Sequence, residues 1–544
     1  MLMQLLQIYK EVFSSAIELL ILAAVILICV LLNKLTSRLG IPVLLAFILL
    51  GMAFGSDGFV KISFDRYDIT ESICTAALIL IMFYGGFDTK WSEAKPVAVK
   101  SVLLSSFGVM ITAALTGLFC HYALGMPILE GLLIGSIVGS TDAASVFSIL
   151  RSKRLNLKYN TASMLEVESG SNDPFAYMLT IIVLTAMNGE ASGGQFAYMI
   201  FAQIVYGAAF GVAIAFAALF VLRRLRLTSG FDMAFVLGIA VLSYAAAALA
   251  GGNGYISAYI VGIILGNQRI PNKRSLVHFF DGMTGLMQML IFFLLGLLSF
   301  PSHMPAVLLT SLAIAVFLTF VARPAAVFAI LSPFRCPMGQ KLIVSWAGLR
   351  GAASIVFAIV ATIHPAALQN DVFHIVMCIV LFSIALQGSL IPVLSRRLGM
   401  IDDNANVLRT FNDFSEEVPV QFVKLAIKPG HPWEGKRVRD ICLPPDTLLV
   451  MVLRGLSRIT PGGGTQLLEG DTLVLSAKAV EDDIHIQLCE MAVGKEHEWN
   501  GKRLSDISGN EGLVIMVRRG DKIVIPSGKT VIKAGDVLVM NAEE

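Results

Sequence analysis

Thirteen apolar stretches fill the first 400 residues, and the lysines and arginines between them fall almost entirely on alternate connections. The stretches lie near 15–33, 41–55, 71–89, 101–120, 128–150, 161–187, 197–222, 232–250, 254–268, 277–299, 305–331, 341–363 and 372–394. About 20 apolar residues cross the hydrocarbon core as a helix. The first run is longer than the apolar region of a secretory signal, so it reads as a transmembrane helix that is retained. The odd-numbered connections and the residues after the last stretch carry Lys34, Arg38, Lys90, Lys95, Lys100, Arg151, Lys153, Arg154, Lys158, Arg223, Arg224, Arg226, Arg269, Lys273, Arg274, Arg335, Lys341, Arg396 and Arg397. The even-numbered connections carry only Lys61 and Arg66. One missed or invented span would scramble that alternation. Positive residues stay cytoplasmic, so the N-terminus is expected outside and the C-terminal tail in the cytoplasm.

The charge density changes at the end of this region. Residues 1–400 hold 41 charged side chains and residues 401–544 hold 39. The expected organisation is a membrane domain over 1–400, a polar linker over 401–417 and a soluble tail. A net charge of +2 with no basic tract gives no sign of nucleic-acid binding. The seven cysteines are scattered without a CxxC, which argues against a disulfide framework or zinc site. The eight histidines form no HxxxH pattern and read as loop and surface residues.

Charges at bilayer depth cost several kcal/mol and are functional candidates by default. Here they are Asp142, Glu166, Glu168, Asp173, Arg323 and Arg350. Asp142 closes Gly135-Ser-Ile-Val-Gly-Ser-Thr-Asp142 in the fifth span, where glycines and small hydroxyls make a weak helix. Freed carbonyls and a threonine hydroxyl are hard oxygen ligands that suit an alkali cation. A bland alternative is a packing face with Asp142 merely hydrogen-bonded. The sixth span contains Leu165-Glu-Val-Glu-Ser-Gly-Ser-Asn-Asp-Pro174. Glu168 and Asn172 share one helix face, as do Glu166 and Asp173, and Pro174 frees a carbonyl near Gly170. These carboxylates cannot all be charged and unpaired. One that trades a proton for a cation near physiological pH performs the chemistry of an antiporter; the alternative is a purely structural ion-pair network. In the twelfth span, Gly348 and Gly351 flank Arg350, a natural partner for a sixth-span glutamate.

With the seventh span as connector, spans 1–6 and 8–13 form two halves, each with a glycine-broken fifth member. Seven intervening spans invert one half relative to the other. Paired broken helices at corresponding positions point to a midplane binding site.

These features resemble the bacterial sodium/proton and potassium/proton antiporters of the NhaP type, within the monovalent cation:proton antiporter superfamily. The resemblance covers 15–397 and rests on Leu39-Gly-Ile-Pro42, Gly51-Met-Ala-Phe-Gly55, Ser140-Thr-Asp142, Glu168-Ser-Gly-Ser-Asn-Asp173, Gly254-Tyr-Ile-Ser-Ala-Tyr259, Phe293-Leu-Leu-Gly296, Arg323-Pro324, Gly348-Leu-Arg-Gly-Ala352 and Gln387-Gly388. It implies an all-α polytopic membrane domain of about thirteen helices, an inverted repeat with crossed broken helices, and a homodimer in the bacterial inner membrane. It also implies cation ligands at Thr141, Asp142, Glu168, Ser169 and Asp173, with Asp173 and Asn172 at the transport centre. The Asn172-Asp173 pair goes with electroneutral exchange, and Arg350 would pair with Glu168. No cofactor is implied beyond the transported potassium or sodium and protons. Ala143-Ala144 replaces the Pro-Val of many relatives, which together with the Glu168–Pro174 motif resembles the potassium-exchanging branch.

The tail repeats. Trp433-Glu-Gly-Lys-Arg-Val-Arg-Asp-Ile441 recurs as Trp499-Asn-Gly-Lys-Arg-Leu-Ser-Asp-Ile507, Arg454-Gly455 as Arg519-Gly520, and Gly470-Asp-Thr-Leu-Val474 as Gly535-Asp-Val-Leu-Val539. Each unit (418–480 and 484–544) alternates like β structure around a short helix opening at Gly435 or Gly501. Trp433 and Trp499 read as hydrophobic staples. Each unit resembles the RCK-C (TrkA-C) regulatory module, giving a small α+β tail. No GxGxxG follows a strand there, so nucleotide sensing through a Rossmann lobe is not supported. A small effector such as a cyclic dinucleotide, or dimerisation, stays open. Two other classes fit less well. An RCK-gated potassium channel needs a TVGYG-like filter, which is absent from the sequence. An aspartyl intramembrane protease using Asp142 and Asp173 leaves Arg350 and the two broken helices without a role.

Overall fold

The computed structural model describes residues 20–21, 23–32, 34, 36, 43–153, 155–189, 193–225, 230–268, 270–366, 368–402, 420–444, 447–455, 457–478, 488–494, 497–507, 513–519, 522–524 and 526–541. They form two compact units, Met1–Glu416 and Glu417–Glu544. The expected linker, all but its first two residues, lies outside the described residues, as do Arg38, Arg154, Arg226, Arg269 and the Leu39–Pro42 motif.

In the first unit the described residues of each of the thirteen apolar stretches are mainly helical. Among the described residues, seven helices are long and apolar enough to cross a membrane by themselves: Tyr67–Asp88, Ala98–Leu124, Gly193–Arg224, Phe231–Leu249, Ser275–Leu298, Met304–Leu331 and Val372–Arg397. The first, second and ninth spans are shorter apolar helices, Ala23–Leu32, Val43–Phe54 and Gly254–Gly266. The sixth, Thr161–Met187, carries the acidic motif. The fifth and twelfth are broken, into Ile128–Ile137 with Ala143–Ser152 and Met338–Trp346 with Ala352–Ile363. Large apolar side chains such as Phe216, Phe220 and Leu309 stand exposed on the outside, as a surface solvated by lipid requires.

Close glycine contacts make the inverted repeat visible. In the second span, a Cβ on Gly51 would meet Leu297 N of the tenth at 2.7 Å, and one on Gly296 would meet Gly51 Cα at 3.0 Å. In the ninth, a Cβ on Gly262 would meet Phe87 N of the third at 2.8 Å, and one on Gly86 would meet Ile263 N at 3.0 Å. Gly51 and Gly262 stand at the same place in their helices, as do Gly86 and Gly296. Moving seven spans along the chain thus turns one close crossing into the other. The fourth and eleventh spans share a further irregularity: each contains a π-helical stretch, Leu104–Gly108 and Leu318–Ala322.

Among its described residues the second unit contains two four-stranded antiparallel sheets. The first runs in the order β1 (Val420–Ala426), β4 (Thr472–Lys478), β2 (Thr447–Arg454), β3 (Ser457–Ile459). The second runs β5 (Leu488–Ala492), β8 (Asp536–Asn541), β6 (Leu513–Arg519), β7 (Lys522–Val524). Register shifts occur at equivalent places, between Leu449 and Met451 and between Val514 and Met516. The expected short helix contracts to one 3₁₀ turn per unit, Val438–Asp440 and Leu504–Asp506. Gly435 and Gly501, with φ of 76° and 83°, turn the chain into it. Trp433 and Trp499 pack on the two cores, as staples do. The repeated arginines and aspartates also pair: Arg454 with Asp471 and Arg519 with Asp536, each at 2.7 Å through Nε.

Candidate functional site

The fifth span loses its helix after Ile137 because Gly139 and the small polar residues around it gain little from helical packing. The chain resumes at Ala143, with Asp142 as the cap: its carboxylate accepts from the Ser145 amide at 3.3 Å and the Ser145 hydroxyl at 2.5 Å. The twelfth span breaks between Trp346 and Ala352. The two breaks cross and bind each other. Asp142 N donates to the Leu349 carbonyl at 2.7 Å, and Arg350 Nη1 donates to the carbonyls of Gly139 and Ser140 at 3.1 and 2.7 Å. A buried guanidinium therefore satisfies carbonyls left over where Ile128–Ile137 ends, and opposes the negative end of that half-helix. At the crossing, a Cβ on Gly351 would lie 2.5 Å from Asp142 Cβ. Behind it, Arg350 N donates to Ser383 Oγ at 3.0 Å, within a third π-helical stretch, Ser383–Gly388.

The sixth span presents its polar face to the fifth. Ser140 Oγ donates to Asp173 Oδ1. Asn172 Nδ2 donates to Thr141 Oγ1 at 2.5 Å, and Ser169 Oγ donates to the Thr141 carbonyl at 2.7 Å. Asn172, Asp173, Ser140 and Thr141 are all buried. Among the described residues, Asp173 has no lysine or arginine within ion-pair distance. Thr141, Asp142, Ser169, Asn172 and Asp173 thus meet at the break, and their oxygens are of the type that holds an alkali cation.

Glu168 pairs with Arg323 and not with Arg350, which corrects the expected pair. Its Oε1 lies 2.5 Å from Nη2 of Arg323 on the eleventh span, with both side chains almost fully buried. The contact is a close ion pair whose angles fall outside those of a hydrogen bond. Arg350 is instead committed to the carbonyls of the fifth span. The intramembrane position of Arg323 marked it in the sequence, but its partner could be found only in three dimensions. Three further positioning residues carried no such mark. Ser145 and Ser383 look like ordinary helix serines. Asn253 is buried, caps the ninth span through the Tyr255 and Ile256 amides, and donates to the Pro174 carbonyl at 2.9 Å. Glu166 is half-buried on the sixth span.

The profile of the transmembrane sodium/hydrogen exchanger family matches residues 21–397, and that of the TrkA-C domain matches 422–481 and 488–543. The chain is 32% identical over 480 residues to the K(+)/H(+) antiporter NhaP of Alkalimonas amylolytica, covering 88% of this chain and 82% of that one. It is 32% identical over 464 residues to the K(+)/H(+) antiporter NhaP2 of Shewanella baltica, covering 82% and 78%. Over 386 residues it is 26% identical to the Na(+)/H(+) antiporter ApNhaP of Aphanothece halophytica, covering 68% and 71%. In fold it is similar to the sodium proton antiporter MjNhaP1 from Methanocaldococcus jannaschii, with a TM-score of 0.62 at 23% identity over 69% of this chain and 97% of that one.

Proposed function

Because the chain belongs to the sodium/hydrogen exchanger family and carries two TrkA-C domains, we propose that it is a secondary antiporter exchanging cytoplasmic K⁺ for external H⁺, under the control of its tail. The observation that carries this reading is the state of Asp173: a buried carboxylate, hydrogen-bonded to Ser140, with no cationic side chain paired to it among the described residues. A bare charge there is prohibitively costly, so the group holds either a proton or a cation. Glu168 is already compensated by Arg323, which leaves the exchange to Asp173 with Asp142, Thr141 and Ser169 as neighbouring oxygens. Asn172 positions Thr141.

One cation for one proton at a single carboxylate is electroneutral. Potassium is favoured over sodium by the names of the relatives that are 32% identical; the sodium-named relative is more distant. The lysine and arginine alternation supports an external N-terminus and a cytoplasmic tail in the bacterial inner membrane. The family resemblance supports a homodimer surrounded by lipid, with a small effector acting at the tail. The domain limits proposed are 1–400, 418–480 and 484–544, with 401–417 as linker.

Purified protein in proteoliposomes, carrying a pH-sensitive dye inside, is given K⁺ or Na⁺ in turn. Proton movement with K⁺, insensitive to a clamped membrane potential and lost in Asp173→Asn while that variant remains folded, is the expected result. A response to Na⁺ alone makes it a sodium antiporter, and substantial exchange by Asp173→Asn removes Asp173 from the mechanism.

A further inference from the structure

Away from the crossing, three even-numbered connections meet. His303 precedes the eleventh span, Asp371 caps the thirteenth, and His374 lies in that helix's first turn. One ring nitrogen of each histidine and one carboxylate oxygen of Asp371 lie within 4.8 Å of one another. His303 and Asp371 are exposed, while His374 is buried. Asp371 Oδ2 lies 2.6 Å from His374 Nδ1, and its Oδ1 accepts from the His374 amide at 3.1 Å. Phe300 N, at the end of the tenth span, donates to His374 Nε2 at 3.0 Å. Asp57, from the connection after the second span, accepts from the Ser302 amide at 2.9 Å and brings a second negative charge beside His303. Among the described residues no lysine or arginine forms an ion pair with Asp371 or Asp57.

We propose that His303, Asp371 and His374 form a binding site for a divalent transition-metal cation of the zinc type. Two imidazoles and one carboxylate are a ligand set that prefers such an ion to Ca²⁺ or Mg²⁺, which take oxygen ligands. Around a four-coordinate zinc with bonds of about 2.0–2.1 Å, ligand atoms sit roughly 3.4 Å apart. The exposed His303 side chain swings in to close the remaining gap, and water fills the fourth position. Two nearby carboxylates without a cationic partner supply the countercharge.

Binding has a structural consequence. His374 now carries its hydrogen on Nδ1, toward Asp371, because Nε2 accepts from Phe300. An ion on Nε2 would lie on the far side of the ring from Asp371, so His374 shares an ion with Asp371 through Nδ1. Coordination through Nδ1 moves the hydrogen to Nε2, which then faces the Phe300 N–H as a second donor. No proton is released from the ring, and the end of the tenth span is untied from the start of the thirteenth.

The test is calorimetric titration of the purified full-length protein, its affinity tag removed, with Zn²⁺, Ca²⁺ and Mg²⁺. One Zn²⁺ per chain is expected, with no binding of the other two ions. His303→Ala and Asp371→Asn should each weaken Zn²⁺ binding by roughly tenfold or more. Melting curves check that the variants fold. Should Asp371→Asn fail to fold, His303→Ala decides, because its ring is exposed. Absence of Zn²⁺ binding by the wild type, or unchanged affinity in folded His303→Ala, overturns the assignment.

Discussion

Glu168 and Arg323, 155 positions apart in sequence, form an ion pair at 2.5 Å between the sixth and eleventh spans. The pair compensates a buried charge on the sixth span, five positions before Asp173. Removing one partner of a buried pair leaves the other charge uncompensated, at a cost of about 3–5 kcal/mol. Arg323→Ala is therefore expected to lower the melting temperature in detergent strongly. Arg323→Met combined with Glu168→Gln should recover most of that loss, because neither charge remains. Equal melting of the single and double variants would show that the two residues are not coupled.

Arg350 acts on the backbone. Arg350→Ala leaves the carbonyls of Gly139 and Ser140 without their donor, and each unsatisfied buried acceptor costs about 1–3 kcal/mol. Arg350→Lys keeps a donor with a different geometry. The expected order of thermal stability is wild type, then Lys, then Ala. A melting temperature for Arg350→Ala equal to wild type would reject this role.

Two glycines test the crossing. Gly351→Ala places a methyl 2.5 Å from Asp142 Cβ, so the two breaks must separate. Gly238 lies inside the eighth span with no atom within 4 Å of its would-be Cβ, and alanine there gains about 1 kcal/mol of helix propensity. Gly351→Ala should abolish exchange and reduce stability, while Gly238→Ala leaves exchange unchanged and melts at or above wild type. Normal transport by Gly351→Ala would show that the crossing tolerates opening.

Removal of the chain beyond Glu416 deletes the whole second compact unit. Exchange should survive, with an altered dependence on pH or effector, since an effector acts only by biasing one of two states. Proteoliposome pH profiles of the full-length and truncated proteins, with and without cyclic dinucleotides, provide the comparison. Complete loss of exchange in a folded truncated protein would place the tail within the transport machinery.

In each tail module a buried aspartate is held below the usual carboxylate range. The hydrogen bonds from Arg454 lower Asp471, helped by the Leu468 amide, and those from Arg519 lower Asp536, helped by the Lys533 amide. The unfolded chain binds protons more readily at these positions, near pH 3.9. Their contribution is thus complete above that pH and lost as pH falls through the lower folded values. Hydrogen exchange of residues 420–478 and 488–541 in the full-length protein should stay constant from pH 7 to about pH 5 once corrected for intrinsic rates. Asp471→Asn should loosen the first module at pH 7 and remove its share of the acid sensitivity. Unchanged protection in that variant would show that the pair does not hold the module.

Periodicity and charge placement alone determined the helical membrane class, the thirteen spans and the duplicated tail. Bilayer insertion imposes a length and an apolarity that are local properties of the chain. The broken fifth and twelfth spans were legible for the same reason, since glycine weakens a helix wherever it stands. Asp142, Asn172 and Asp173 stood out because a polar group at bilayer depth is costly without a purpose. Pairing was another matter. Nothing local distinguishes Arg323 from Arg350 as the partner of Glu168, because each is a single guanidinium in an apolar helix. Tertiary structure decided it by directing Arg350 into the carbonyls of the crossed fifth span and bringing Arg323 against Glu168. His303, Asp371 and His374 met for a similar reason: a ligand set drawn from separate connections has no sequence spacing, and only packing of the tenth, eleventh and thirteenth spans brings it together.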